Sequence, residues 1–379
     1  MDTVEQARTG FAQRTQQQGR IKSASLIHGL ATVPREDFVG AGPWKILRPS
    51  EIAKGYQLTP DDNPCHIYDN VLVALDADRQ LNNGEPLSLL VFLDTLDLVR
   101  GDRFLHIGCG VGYYTAIAAE AVGPSGTIVG IEIDNDLAAR AEQNLRSYKN
   151  VRVVSADGSL HSGEVFDAIF VNAGCTHPQS IWLDQLAVGG RLLVPLTVSV
   201  LPSPDIGNGL MLLITRSEAE YSARFTSPVA IFHCEGARTT EGNTLLLKAF
   251  AQGGHGSVVR LRRDEHPSGA ACWLHSSDLC LEASESKHKQ ASIDPEILAN
   301  YVGRYQFAPD FFATVTLQGN QLFVQRTGRP NGPVYPASEK EFFYKVIDAQ
   351  ITFVTDESGC ATELVFHQNG QDTRANRIE

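Results

Sequence analysis

The residues of this chain best suited to chemistry are three closely spaced glycines that end an apolar run, Phe104-Leu-His-Ile-Gly-Cys-Gly-Val-Gly-Tyr113. Lacking a Cβ, Gly108, Gly110 and Gly112 let the backbone turn sharply and come close to a ligand. The small-residue stretch Thr115-Ala-Ile-Ala-Ala-Glu120 that follows has the composition of a helix packed on a strand. Strand, glycine loop and helix in that order hold a nucleotide-like ligand at the strand's carboxyl end.

Further along, several residues fit the same ligand. Glu132 lies near the end of the run Gly130-Ile-Glu-Ile-Asp134. This is about twenty residues past the glycines, where a carboxylate accepts hydrogen bonds from both ribose hydroxyls. Asp157 can accept the amino group of an adenine, and Gly158 lets the loop pass close to the ring; an Asp-Gly pair is also an ordinary turn. Asn172, in Val171-Asn-Ala-Gly174, follows the next strand, where a second substrate would enter.

The glycine spacing separates two ligand classes. Dinucleotide folds use G-x-G-x-x-G, whose third glycine eases helix packing. Here the pattern is G-x-G-x-G, and Tyr113 stands where that third glycine would be. This favours S-adenosylmethionine, whose amino-acid end has no pyrophosphate to seat on a helix N-terminus, over NAD. The cofactor-facing set is then Gly108, Gly110, Gly112, Tyr113, Glu132, Asp157, Gly158 and Asn172.

These loops require an α/β sheet to position them, and residues 86–200 have the pattern of one. Helices are predicted over 87–98, 114–121, 137–147 and 178–186, alternating with strands over 103–107, 127–133, 151–155, 166–172 and 191–195. Such alternation predicts a parallel sheet covered by helices on both faces. Residues 2–31 read as helical and end at Val33-Pro34, since proline lacks an amide hydrogen and restricts its neighbour. Residues 50–84 read as irregular, with an apolar run at 71–75. Strands at 209–215, 223–232 and 257–262 and a helix at 243–252 complete a first domain, 1–282, with an N-terminal helical part at 1–48. A polar linker is placed at 283–293. Short strands with turn signals at 311–317, 321–325, 341–344, 350–355 and 361–367 predict a small antiparallel barrel or sandwich over 294–379.

Composition narrows the partners. A formal net charge of -12 argues against sequence-independent nucleic-acid binding, which needs fields of Lys and Arg. No apolar run is long enough to span a bilayer, and the first residues lack a secretory pattern, so a cytoplasmic protein is expected. The seven cysteines are odd in number and scattered, as expected of reduced thiols. Cys272-x-x-His275 with Cys280, and the pair His233-Cys234, have irregular spacing. They are read as unrelated side chains, and no metal site is expected.

The run Val33-Pro-Arg-Glu-Asp-Phe-Val39, the glycine loop, Ile131-Glu132, Ala156-Asp-Gly158, Phe166-Asp-Ala-Ile-Phe-Val-Asn-Ala173 and Leu183-Asp-Gln-Leu-Ala-Val-Gly-Gly-Arg-Leu-Leu-Val-Pro195 resemble protein-L-isoaspartate O-methyltransferases. The resemblance covers about residues 15–200. It implies a Rossmann-like methyltransferase fold, S-adenosylmethionine as cofactor, and methyl transfer to a carboxylate of a protein, peptide or small molecule. A carboxylate is ionised at neutral pH and needs no general base. Rate then comes from alignment and desolvation of the nucleophile.

The family's lid reads like Gly-Gln-Thr-Ile-Ser-x-Pro. The matching stretch here is Gln80-Leu-Asn-Asn-Gly-Glu-Pro86, so Asn82 stands for the threonine and Gly84 for the serine that holds the acceptor. Asn82 and Asn83 are left to position it through amide donors. A different small-molecule or peptide acceptor, or a non-catalytic cofactor-binding protein, are the alternatives. Residues 294–379 resemble the lipocalin-like β module appended to some serine β-lactamase-type hydrolases. The runs that carry this are Leu298-Ala-Asn-Tyr-Val-Gly-Arg-Tyr305, Phe342-Phe-Tyr-Lys-Val346 and Val365-Phe-His-Gln-Asn-Gly370. The resemblance implies an appendage without chemistry of its own.

Overall fold

The computed structural model describes residues 3–199, 205–269, 271–284, 290–328, 331–345, 349–368 and 371–378. The chain forms two compact units, Met1–Leu246 and Leu247–Glu379. The division falls earlier than the linker expected at 283–293, part of which lies outside the described residues. The ends of the runs 342–346 and 365–370 lie outside them as well.

In the first unit the N-terminal segment is two helices rather than one, α1 (Val4–Gly19) and α2 (Ala24–Thr32). Arg20 ends α1 in the left-handed region (φ 51°), and the Ser23 hydroxyl accepts the Leu26 amide to start α2. A short α3 (Glu36–Val39) follows. The stretch read as irregular and the residues just before it form a small antiparallel sheet of β1 (Lys45–Leu47), β2 (Gln57–Leu58), β3 (Leu72–Asp76) and β4 (Leu81–Asn82), in the order β2-β1-β3-β4. β1, β2 and β4, of two or three residues each, are too short for period-two alternation to show, while the five-residue β3 overlaps the apolar run at 71–75. Trp44, Ile46, Ile67, Val71 and Val73 form the sheet's own core.

The main sheet follows the predicted alternation. Its elements are α4 (Pro86–Thr95), β5 (Arg103–Ile107), α5 (Tyr113–Val122), β6 (Thr127–Glu132), α6 (Asn135–Leu145), β7 (Val151–Ser155), β8 (Phe166–Val171), α7 (Ser180–Asp184), β9 (Leu186–Ser199), β10 (Ile206–Arg216) and β11 (Tyr221–Phe232). Within this unit the strands run β11-β10-β9-β8-β5-β6-β7. Pairing is parallel from β7 to β9 and antiparallel from β9 to β11. The chain winds outward from β5 through β6 to β7 and then returns to place β8 on the other side of β5. The crevice above β5 and β8 is therefore the topological switch point, where open α/β sheets bind ligands. Beneath it, His106 is wholly buried between Phe104 and Phe170. Its Nδ1 is bonded to Thr115 Oγ1, and burial pushes its pKa down to about 3, so it is a neutral core residue.

A helix, α8 (Thr240–Gln252), leads into the second unit. There β12 (Val258–Arg262), β13 (Cys272–His275) and β14 (Cys280–Ala283) pair antiparallel in the order β13-β14-β12. Helix α9 (Pro295–Ala299) is capped by Asp294. An eight-stranded closed barrel follows, from β15 (Gly303–Ala308) to β22 (Gln371–Arg377), each strand pairing with the next and β15 with β22. Closure leaves no sheet edge exposed. Tyr301, Tyr305, Phe342 and Phe353 fill its interior, with Tyr301 stacked on Phe353 at 4.5 Å between ring centres.

Candidate active site

At the carboxyl end of β5, all three glycines have positive φ, +74° at Gly108, +57° at Gly110 and +90° at Gly112. A Cβ on Gly112 would stand 2.7 Å from Leu145 Cδ1, and one on Gly108 would stand 3.2 Å from the Asn172 carbonyl oxygen. A Cβ on Gly110 would meet nothing within 4 Å, so the loop faces open space at that residue. A side chain at Gly108 or Gly112 would press on neighbouring residues of the fold, whereas Gly110 is open.

Glu132 is only 7 % exposed at the end of β6. Its Oε2 accepts the Gly110 N–H at 2.7 Å and its Oε1 accepts the Asp134 N–H at 3.1 Å. Burial pushes its carboxyl above the usual range, opposed by the amides of Asp134, Gly110 and Ile133. Each oxygen keeps a lone pair beyond its backbone bond, which suits it to a pair of ribose hydroxyls. Directly after it, the apolar Ile133 is 44 % exposed.

Asp157 and Gly158 sit at the end of β7. The Ser159 N–H donates to Asp157 Oδ1 at 2.8 Å. A Cβ on Gly158 would be 2.4 Å from Ile107 Cγ2, and one on Gly236 would be 2.5 Å from Asp157 Oδ2. The glycine at 158 thus permits the loop to lie on β5, and the segment after β11 lies against Asp157. Asn172 braces the switch point, with its backbone amide on Ile107 O (2.8 Å) and its Nδ2 on Gly108 O (3.2 Å). The Tyr113 ring lies in the core instead, 5.5 Å from Phe38 and 5.1 Å from Tyr114 between ring centres. Position 113 can therefore serve a ligand only through its backbone, at the start of α5. Arg35, from the Val33–Val39 run, lies 5.8 Å from the centre of that ring. It is fully buried and donates to the carbonyls of Ile67 and Val71, both at 2.8 Å.

On the acceptor side, β4 leads into the strap before α4. Asn82 Oδ1 accepts the Gly84 N–H at 2.8 Å, and its side chain also bonds the Tyr56 phenol, which burial pushes up. Asn83 is different. Its backbone N–H donates to Val73 O at 2.8 Å, while its side-chain Nδ2 is buried with no hydrogen-bond partner among the described residues. The strap is tied to the cofactor side twice. The Tyr114 hydroxyl reaches Gly84 O at 3.5 Å, and Arg79 pairs with Asp134, just past Glu132.

The chain matches the family described as protein-L-isoaspartate(D-aspartate) O-methyltransferase (PCMT) over residues 7–201. It belongs to that family. The chain is accordingly an S-adenosylmethionine-dependent carboxyl methyltransferase with a Rossmann-type domain. A relative named protein-L-isoaspartate O-methyltransferase from Methanococcus aeolicus is 32 % identical over 186 residues, covering 47 % of this chain and 74 % of the relative. One from Methanothermobacter thermautotrophicus is 28 % identical over 231 residues, covering 59 % and 92 %. A solved structure bearing the same name aligns with 98 % of this chain and 100 % of its own at 16 % identity and a TM-score of 0.49. Residues 287–377 match a domain of unknown function (DUF3471).

The sequence did not point to Tyr56 or Arg79, both in a stretch that reads as irregular, nor to Ile133, whose only signal is an apolar residue continuing past a strand end. The expectation that the thiols and histidines of 272–280 are unrelated is corrected. Cys272, His275 and Cys280 converge in the second unit together with His266, which no short spacing links to them. The pair His233-Cys234 belongs to the first unit, where His233 Nε2 is bonded to Ser199 Oγ.

Proposed function

We propose that this methyltransferase acts on the side-chain carboxylate of an isoaspartyl-type residue in a protein or peptide. The observation that carries this reading is the buried, unpartnered Nδ2 of Asn83 on the strap beside the cofactor loops. A buried donor without a partner is costly in isolation and is satisfied when an acceptor carboxylate arrives. Asn83 takes over the role that a hydroxyl at position 84 would play, while Asn82 holds the turn.

S-adenosylmethionine supplies a methyl group already activated on a sulfonium. The chain supplies placement. Gly110 lets the backbone approach the amino-acid end, Glu132 takes the ribose hydroxyls, Ile133 offers an apolar face to the purine, and Asp157 takes the adenine amino group. Asn172 and Gly108 hold the floor of the crevice. No side chain needs to remove a proton, because the acceptor oxygen is already anionic at neutral pH.

The barrel fits a lipocalin-like module that contributes binding or shielding. His367 is engaged by Asp372 at 2.7 Å and Thr352 at 2.8 Å, a local surface network. No helix among the described residues is long and apolar enough to cross a membrane, and we place the protein in the cytoplasm. The test is formation of base-labile methyl ester on an isoaspartyl peptide against its aspartyl isomer. Ester on the isoaspartyl peptide alone supports the assignment. Tight S-adenosylmethionine binding without ester on either peptide moves the acceptor to another carboxylate.

A further inference from the structure

We propose that His266, Cys272, His275 and Cys280, in the second unit, form a four-coordinate zinc site. Their candidate ligand atoms all lie within 4.8 Å of one another. Two thiolates and two imidazoles are a closed Cys2His2 set, the composition of structural rather than catalytic zinc.

The backbone shows how an irregular pattern, H-x5-C-x2-H-x4-C, becomes a site. In a regular strand, residues three apart face opposite ways, so Cys272 and His275 would diverge. Here β13 pairs with β14 as Cys272↔Glu282, Leu274↔Leu281 and His275↔Cys280, with a bulge at Trp273. The extra residue returns Cys272 to the face of His275 and Cys280. Trp273 itself is anchored elsewhere, its Nε1 donating to Gly253 O at 2.8 Å and its ring 5.4 Å from that of Phe250.

The distances and outer contacts fit. Tetrahedral zinc, with Zn–S near 2.3 Å and Zn–N about 2.0–2.1 Å, sets sulfur and nitrogen about 3.6 Å apart. Cys272 Sγ and His266 Nε2 are 3.6 Å apart. His266 Nδ1 bonds the Asp264 carbonyl at 2.9 Å. That bond puts the proton on Nδ1 and turns the Nε2 lone pair toward the sulfur, as the outer partners of metal-bound histidines do. The Gly269 N–H donates to Cys272 Sγ at 3.4 Å. Independently, His275 Nδ1 is buried with no hydrogen-bond partner among the described residues, and Cys280 is fully buried.

Binding releases the two thiol protons and leaves a neutral centre, two thiolate charges against Zn²⁺. It would clip the segment carrying His266 to the β13–β14 hairpin.

The test uses the full chain, stripped with chelator under reductant and titrated with Zn²⁺ or Co²⁺. We expect about one zinc per chain. Cobalt should give the thiolate charge-transfer band and intense visible bands of a tetrahedral centre. Cys272→Ser and Cys280→Ser should lose both signals. Cys360→Ser, which removes an exposed thiol, should keep them. Zinc should also protect Cys272 and Cys280, but not Cys360, from alkylation. Failure of the wild-type chain to retain either metal overturns the site without any variant having to fold. Retention of full stoichiometry in both Cys272→Ser and Cys280→Ser overturns it as well.

Discussion

The glycine-loop side and the strap side of the candidate site are built from different materials. Around Gly108–Gly112 and Glu132, binding geometry is set by the main chain: positive φ, glycines pressed against Leu145 and Asn172, and a carboxylate held by two backbone amides. Around Asn82–Gly84 it is set by side-chain amides on a short strap, one engaged in its own turn and one unpartnered. The two sides are linked through Arg79–Asp134 and Tyr114–Gly84. A site divided this way can keep its cofactor while its acceptor preference shifts, since strap residues can change without disturbing the glycine loop.

The largest effect should separate the two glycine roles. Gly112→Ala places a Cβ against Leu145 at a φ of +90° and should cost about 2–5 kcal/mol of stability, overpacking added to the left-handed strain that Gly110→Ala also carries, along with cofactor binding. Gly110→Ala should leave the fold within about 1–2 kcal/mol of wild type, the cost of a left-handed residue, yet abolish S-adenosylmethionine binding because its methyl enters the cradle. Denaturant melts beside calorimetric titration distinguish the two. Equal loss of stability in both would dissolve the distinction.

Glu132→Ala should weaken S-adenosylmethionine by about 1–3 kcal/mol, the scale of a charge-assisted hydrogen bond. Unchanged affinity would remove the ribose assignment. Asn83→Ala should lower kcat/KM for the acceptor by a factor corresponding to about 0.5–1.5 kcal/mol, with cofactor affinity intact. Because its Nδ2 has no partner among the described residues, thermal stability should barely move. A large fall in Tm would show that Asn83 is structural.

The smallest effect concerns pH. The Glu132 carboxyl is raised by burial. A raised carboxyl favours the free folded state below the ordinary glutamate range, and that contribution is lost as pH rises through the folded pKa. Cofactor hydroxyls prefer the carboxylate, so affinity should run the opposite way and fall as pH drops through the raised pKa. The fall should begin at a higher pH than an ordinary glutamate would give. Glu132→Ala should flatten this profile.

The difference between the two sides also explains what could be read from the sequence. Glycine loops, strand-end acids and long βα alternation are local patterns, so β5–β8 and the loops at their carboxyl ends were legible. Tyr113 misleads because its spacing is right while its ring points into the core. The strap side depends on β1, β2 and β4, strands too short to register, and on pairings such as Asn83 with Val73 that no local pattern encodes. The four-residue cluster of the second unit was hidden for a related reason, since Cys272 shares a face with His275 and Cys280 only through the bulge at Trp273.

The most direct test of the division of labour is a crossed measurement on Glu132→Ala and Asn83→Ala. Kd for S-adenosylmethionine and KM for an isoaspartyl peptide are measured on both variants. The predicted result is that Glu132→Ala raises the cofactor Kd and leaves peptide KM at saturating cofactor near wild type, while Asn83→Ala does the reverse. If both variants raise the same constant, the two sides do not act separately and the account is wrong.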